Sequence, residues 1–415
     1  MKILVISQYF YPETFRVNSL CIELAKRGHD VTVLTGFPQY PQGRIYKGYG
    51  FRKEYEHEWN GIRIERLKVF PRGKTPIGML LNCLSFVVEG RKWVGSCTEK
   101  YDAVYVFEVS PVTVGLPAVE YKKKFGTPIY FNVQDLWPEN VEVVLGIHNK
   151  LVIGKINKIV DTIYSASDKI LCSSNGFVEN IKARGVPAKK LVFWPQFCDE
   201  PDFTRSEKPE IYSDDDFKIV FAGNIGEAQG LDLLIETAKR LKGRSDIKFY
   251  LVGDGRARKR LERTVKRDNL DNVVFVGKIS VGEADSYIHF ADCAYLSFKD
   301  NEVFNMTIPA KLQSYMACGT PILAAAGGES AEIIRSTECG IISTRNSFDL
   351  AEAIEKIEAS RSDTAEMRKK AYEFYSQNYN KTKLVDGLEY LIVSDALNQD
   401  ADPDILIEHD VGKAQ

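Results

Sequence analysis

Two blocks of the chain alternate between short runs of consecutive hydrophobics and longer stretches with apolar residues at helical spacing. The first run, Lys2–Ser7, reads as a buried strand and leads into the loop Gln8–Glu13. A helix is predicted from about Thr14 to Arg27, ended by Gly28, and Asp30–Thr35 is the second strand. Gly36 to Asn60 has no clear periodicity and is rich in Gly, Pro and aromatics, the pattern of a functional or mobile loop. Ile62–Arg66 then reads as a strand and Thr75–Trp93 as an apolar helix flanked by Arg72, Lys74, Arg91 and Lys92. Strands at Ala103–Phe107, Ile129–Val133, Lys169–Ser173 and Leu191–Trp194 follow, with helices at Val112–Lys124, Lys150–Ser165 and Gly176–Arg184 between them. Pro195–Asp216, rich in Pro, Asp, Glu and Ser, has linker composition.

The second block repeats the scheme. Its strands are expected at Lys218–Ala222, Lys248–Val252, Val273–Val276, Cys293–Ser297, Ile322–Ala325 and Gly340–Ile342. Helices are expected at Leu231–Leu241, Ala257–Lys266, Gly282–Phe290 and Ala310–Cys318, with a loop opening at Gly327-Gly328. Helices at Phe348–Ala359, Asp363–Tyr379 and Lys383–Asn398 close the chain before an acidic end expected to fray. Strand–helix alternation of this kind predicts an α/β protein with two doubly wound, Rossmann-like domains and a cleft between them.

Composition changes this picture little. A chain of 415 residues is more than one core usually supports, and a net charge of −2 gives no global pull toward nucleic acid or an anionic bilayer. The eight cysteines form no C-x-x-C pair and the five histidines no cluster, so no disulfide or structural zinc is expected, and with no D-x-D motif at a strand end no metal is expected either. The opening MKILVIS is a strand rather than a leader, which predicts a cytoplasmic protein, and no apolar run is long enough to span a bilayer.

Chemistry concentrates in the loops after strands. Lys311 falls in the first turn of the Ala310–Cys318 helix, where a cation opposes the helix dipole unless an anion compensates. A phosphate ligand is one reading and an ordinary solvated lysine the other. Gly223, Asn224, Gly226 and Gly230 shape the loop after one strand, and Gly253 and Gly255 shape the next. Both loops can bring backbone N–H groups to a diphosphate, or can simply be tight turns. Gln229 offers neutral hydrogen bonds, Asp254 suits a helix cap, and Arg256 stays open between the two uses. Asp135 follows a strand end, where it can orient or deprotonate a hydroxyl or cap the segment from Leu136. Glu13, Arg16 and Asn18 stand where the first loop meets its helix, as ligands for an acceptor or as a surface capping network. Thr75–Trp93 can be an interior helix or, given its basic flanks, a surface helix resting on a membrane.

Phe221-Ala222-Gly223-Asn224-Ile225-Gly226-Glu227-Ala228-Gln229-Gly230-Leu231, Val252-Gly253-Asp254-Gly255 and Tyr315-Met316-Ala317-Cys318-Gly319-Thr320-Pro321 together resemble the retaining GT-B glycosyltransferases of family 4. The YPE near the N-terminus, Lys26–Thr35 and Asp135-Leu136-Trp137-Pro138-Glu139 are similar to its WbuB-like branch, associated with bacterial O-antigen and capsule assembly. The resemblance runs from Met1 to about Ile392. It implies an acceptor domain over residues 1–200 with 381–400 crossing back, a donor domain over 215–380, and a tail at 401–415.

It also implies transfer of a hexose or N-acetylated aminosugar from a nucleotide diphosphate-sugar, with UDP the expected carrier, to a glycan or polyprenyl-diphosphate-linked acceptor, with no metal or other cofactor. Lys311 and Asp135 are then the catalytic candidates. Gly223, Asn224, Gly226, Gln229, Gly253, Gly255, Arg256, Asn305, Thr307 and Ser314 are candidates for the donor, and Glu13, Arg16, Asn18, Trp137 and Glu139 for the acceptor. Backbone amides around Thr307 and Asn224 would share the diphosphate with Lys311.

Four positions depart from the family pattern. Asn224 and Gln229 replace an arginine and a lysine that meet the diphosphate, and Met306 and Ser314 replace two glutamates. These losses keep two rivals open: a nucleotide-sugar epimerase on the same scaffold, and a degenerate transferase retained as a nucleotide-sugar-binding subunit.

Overall fold

The computed structural model describes residues 1–53, 55–361 and 364–396. Its chain divides into two units, Met1–Trp194 with the described residues from Val385 onward, and Pro195–Leu384. The tail expected at 401–415 and the end of the last expected helix lie outside the described residues.

The first unit holds strands β1 (Lys2–Ser7), β2 (Asp30–Thr35), β3 (Glu58–Trp59), β4 (Ile62–Arg66), β5 (Ala103–Glu108), β6 (Ile129–Val133), β7 (Lys169–Cys172) and β8 (Leu191–Phe193). They form one sheet in the order β3-β4-β2-β1-β5-β6-β7-β8, parallel except for the β3–β4 pair. Helices cover both faces of such a sheet, so its central strands are apolar without alternation: β5 and β6 are buried at every position. The order reverses between β1 and β5, which gathers the loops after β1, β5 and β6 at one edge.

The second unit holds β9 (Phe217–Ala222), β10 (Ile247–Val252), β11 (Val273–Gly277), β12 (Cys293–Ser297), β13 (Ile322–Ala325) and β14 (Gly340–Ile342). All pairings in the order β11-β10-β9-β12-β13-β14 are parallel. This is the doubly wound arrangement, and its switch point lies between β9 and β12. Phe217, Ile219, Phe221, Leu234, Ile235, Phe249 and Leu251 lie in the core on one side of the sheet.

Most expected elements lie within two residues of the observed ones, and three differ for physical reasons. The expected helix at Val112 begins as a 3-10 turn, Val112–Gly115, and becomes α-helical only at Leu116–Phe125, where Pro117 occupies the first turn. Gly327-Gly328 opens a helix, Gly328–Thr337, rather than a loop; its buried stripe is short, and two glycines conceal its start. The linker-like stretch packs on the second unit: Tyr212 is buried and donates to the Tyr287 carbonyl at 2.9 Å. Within Gly36–Asn60 the Gln39 and Tyr40 N–H groups donate to the Glu13 carboxylate at 2.7 and 2.6 Å. The buried Arg66 guanidinium donates to the Tyr11 carbonyl at 2.6 Å and lies 4.9 Å from the Tyr49 ring centroid. Among the described residues no cysteine is joined in a disulfide. Among the described residues no helix is long and apolar enough to cross a membrane.

Candidate functional site

In the second unit the switch point brings the loop after β9 against the second helix after β12. That helix, Ala310–Ala317, starts after Pro309 with no side-chain cap and no acidic residue in its first turn. It is held by Tyr315, whose hydroxyl accepts from the Ala222 N–H at 3.1 Å at the end of β9. Lys311 therefore projects over the β9 loop: its ammonium lies 4.5 Å from the Phe221 ring centroid and donates to Oε1 of Gln229. A Cβ on Gly223 would stand 2.7 Å from Lys311 Cε, so this glycine, at φ +132, makes room for the lysine stem.

Burial pulls the Lys311 ammonium down to about 7. Among the described residues no carboxylate pairs with it to offset that cost. A desolvated cation whose partner is a neutral amide oxygen is suited to gain from an incoming anion. The Gln229 backbone is fixed, because the Ser297 hydroxyl donates to its main-chain carbonyl at 2.5 Å. The lysine is half-buried and hydrogen-bonded rather than the fully solvated residue that its helix position also allowed.

Of the two roles the sequence leaves open for the glycine loops, the tight turn describes Gly223 and Gly253. The Gly223 N–H donates to the Val252 carbonyl at 2.9 Å, and the Ile225 N–H to the Asp254 carbonyl at 2.9 Å. A Cβ on Gly253 would lie 1.9 Å from the Gly223 oxygen. Gly223 and Gly253 thus serve the close approach of two backbones, and the Gly223 N–H is not free for a phosphate. Gly226 and Gly255 border the Asn224 carboxamide, which sits 2.8 Å and 2.7 Å from where their Cβ atoms would be. Asn224 is exposed, as is Arg256. Asp254 accepts from the Gly255 N–H at 2.8 Å.

Thr307 is a clearer correction. Its N–H donates to the Phe304 carbonyl at 3.2 Å and its hydroxyl to the Val303 carbonyl at 2.8 Å, so both donors are spent in the turn. Asn305 contacts Asp300 at 3.4 Å, and its backbone oxygen lies 1.9 Å from a Cβ placed on Gly328. Ser314 donates to the Ala310 carbonyl at 3.1 Å and faces the Cys198 sulfur at 3.7 Å. Arg345, which the sequence reading passed over, comes to the same sheet edge from the loop after β14. It donates to the Phe298 carbonyl at 3.1 Å and pairs with Asp300 at 3.2 Å.

In the first unit, Asp135 stands at the end of β6. The Ser110 hydroxyl donates to its Oδ2 at 2.6 Å, and burial raises its pKa. Trp137 donates through its indole N–H to the same Ser110 oxygen at 3.2 Å. Beneath them lies Glu108, wholly buried, with its pKa pushed well above the usual range by desolvation and then by Asp135. Its Oε2 accepts from the Gln134 and Asp135 N–H groups at 3.3 and 3.2 Å. The signal for it was present in the sequence: a glutamate ending the apolar run AVYVFE.

Three of the other acceptor candidates, Glu13, Asn18 and Glu139, make hydrogen bonds within the first unit. Glu13 is buried and its Oε1 accepts from the Gln39 and Tyr40 N–H groups at 2.7 and 2.6 Å, anchoring the long loop. Desolvation lifts its carboxyl to about 7. Asn18 donates to the Glu13 carbonyl at 2.7 Å, and Glu139 accepts from Asn180 at 3.3 Å. Arg16 opens the helix Arg16–Lys26, which has no side-chain cap. Among the described residues no group of three or more His, Cys, Asp or Glu is placed to hold a metal ion.

Two family models match the chain in succession. The glycosyl transferase 4-like domain covers residues 14–196, and the glycosyl transferases group 1 domain covers 202–374. A curated relative, the putative colanic acid biosynthesis glycosyl transferase WcaI of Escherichia coli K12, is 26% identical over 344 residues, covering 77% of this chain and 82% of its own. Sucrose-phosphate synthase from Thermosynechococcus elongatus superposes with a TM-score of 0.73 at 17% identity, covering 96% of this chain and 100% of its own. Anabaena HepE, solved in complex with UDP-glucose, superposes with a TM-score of 0.66 at 16% identity over 95% of this chain and 100% of its own. With both domain models matched in order and both sheets wound as that fold requires, the chain belongs to the family 4 glycosyltransferases of the GT-B fold.

Proposed function

We propose that this glycosyltransferase moves a hexose or N-acetylated aminosugar, with retention, from a UDP-sugar to a glycan or polyprenyl-diphosphate-linked acceptor in the synthesis of a bacterial surface polysaccharide. The observation that carries the reading is Lys311: a desolvated ammonium over the β9 loop, facing a neutral amide and no carboxylate. Leaving-group departure puts negative charge on the diphosphate, and a preorganised cation in a dry setting stabilises that charge more than water does. Lys311 takes the place of the arginine–lysine pair that Asn224 and Gln229 replace. In the first unit Asp135, held by Ser110, accepts the acceptor hydroxyl's hydrogen bond and its proton. UDP as the carrier is supported by the UDP-glucose complex of HepE, and the polysaccharide setting by the colanic acid relative. No metal or other cofactor is assigned a part.

Calorimetry with a panel of nucleotide sugars tests this. One UDP-sugar is expected to bind selectively, and UDP release from it to rise when a polyprenyl-diphosphate-linked glycan is added. Selective binding with no release under any acceptor would instead support the degenerate, binding-only rival. No binding of any nucleotide sugar would remove the reading altogether.

A further inference from the structure

Three loops of the first unit hold donors without acceptors, at the sheet edge where Asp135 stands. β2 and β4 run parallel to β1, so the stretches after β1, β2 and β4 open on the same edge as the loop after β6. Tyr9, from the first of them, is 5% exposed and forms a trio with Phe15 and Tyr40. The Tyr9–Phe15, Tyr9–Tyr40 and Phe15–Tyr40 ring centroids lie 5.2, 5.5 and 5.3 Å apart. Among the described residues the Tyr9 hydroxyl has no hydrogen-bond partner. Burial raises its pKa, and the guanidinium of Arg72, from the stretch after β4, pulls it partly back; the phenol stays a donor. Arg72 is half-buried, and among the described residues its side chain makes no hydrogen bond or ion pair. Its backbone N–H donates to Oε1 of the wholly buried Gln39, whose Nε2 is left without an acceptor. Glu13, a carboxylate that acts on Tyr9, is already occupied by the Gln39 and Tyr40 N–H groups.

Buried donors left unpaired are costly, and a guanidinium beside a phenol is the donor set an oxyanion satisfies. Arginine's planar fork matches the oxygens of a phosphate. Tyr40 adds a second requirement. Its ring is 43% exposed, yet it is held by Phe15 and, through its N–H, by Glu13, so it offers a fixed apolar face beside the donors. Such a face suits the C–H side of a sugar ring. β6 lies two strands from β1, about 10 Å at the usual spacing, which one sugar ring bearing a phosphate on its anomeric oxygen can span. We propose that Arg72 and Tyr9 bind the phosphate of a glycosyl phosphate acceptor, whose sugar lies on Tyr40 with a hydroxyl toward Asp135. This rests on the transferase reading and narrows it, because a glycan without phosphate would leave Arg72 and Tyr9 unpaired.

Calorimetry on the full-length protein, saturated with UDP so that phosphates cannot enter the donor site, tests this. The probes are glucose 1-phosphate and N-acetylglucosamine 1-phosphate, each against its free sugar. The better sugar phosphate is expected to bind at least about tenfold more tightly than its parent sugar, the gain of one hydrogen-bonded charge pair. Arg72→Gln is expected to erase most of that advantage, and Tyr9→Phe, which keeps the ring trio, part of it. Affinity for the free sugar is expected to stay unchanged in both, whereas Tyr40→Ala weakens sugar and sugar phosphate alike. The geranyl diphosphate ester of N-acetylglucosamine, set beside its 1-phosphate, separates the sources of the phosphate. Tighter binding of the ester supports a lipid-linked acceptor, equal binding a soluble one, and either supports the phosphate site. Sugar phosphates that bind no better than sugars, or an advantage that survives in Arg72→Gln, would overturn the proposal while UDP binding leaves the transferase reading standing. A parent protein that does not bind UDP would remove that reading, and the proposal with it.

Discussion

Lys311→Ala is expected to lower kcat/KM for the nucleotide sugar by about a hundredfold to a thousandfold, the loss that follows removal of one preorganised charge-stabilising donor. The effect is expected in both binding and turnover, because the ammonium meets the diphosphate before and during departure of the sugar. Folding is not expected to suffer in parallel. In the folded chain the ammonium titrates at about 7, against an ordinary 10.5. Between those values the unfolded chain binds the extra proton, so the lysine's unfavourable contribution is fully present below about pH 7 and disappears as the pH rises toward 10.5. Lys311→Met, which keeps the stem over Gly223 and Phe221, is therefore expected to be at least as stable as the parent at pH 6, while sharing the loss of activity. Thermal melts at two pH values and steady-state kinetics check both statements. A variant with parental kcat/KM would show that the diphosphate is met elsewhere, with Arg256 and Arg345 the next cations at that sheet edge.

Asp135→Asn separates chemistry from architecture in the first unit. Asparagine retains an oxygen for the Ser110 hydroxyl and is as good a cap as aspartate, so a purely structural Asp135 would tolerate the change. As the group that takes the acceptor's proton, Asp135 cannot be replaced by an amide. Acceptor-dependent turnover is then expected to fall by about a hundredfold to ten-thousandfold, the usual range for a lost general base, with donor affinity unchanged. Initial rates and donor titrations measure the two separately; turnover within threefold of the parent would return Asp135 to a structural role.

The doubly wound architecture was readable because buried parallel strands leave unbroken apolar runs: β1, β2, β5, β6, β12, β13 and β14 lie where those runs are. Lys311 was readable for a related reason, since its helix is bounded by Pro309 and Gly319 and places it beside the dipole's positive end. Hydrogen-bond partners were another matter. Nothing in a glycine's one-letter code tells whether it admits a phosphate or a second strand of backbone, and Gly223 and Gly253 do the latter for each other. Glu13 has the sequence context of a binding residue, yet it points inward because two amides of a loop more than twenty residues away need an acceptor. Thr307 spends its donors within a turn that has no apolar period to reveal it. Local pattern specifies elements, while the destination of each polar group depends on contacts distant in sequence.

The central claim, that the Lys311 ammonium is the diphosphate's counterion, can be read from protons. Free Lys311 titrates at about 7, so at about pH 8 most of it is neutral, and an arriving diphosphate must restore its charge. Calorimetric titration of the donor at pH 8, in two buffers of different ionisation enthalpy, is expected to show uptake of nearly one proton per donor bound. Little uptake is expected at pH 6, and none at either pH in Lys311→Met. Donor binding at pH 8 without proton uptake, or with the same uptake in Lys311→Met, would contradict the account.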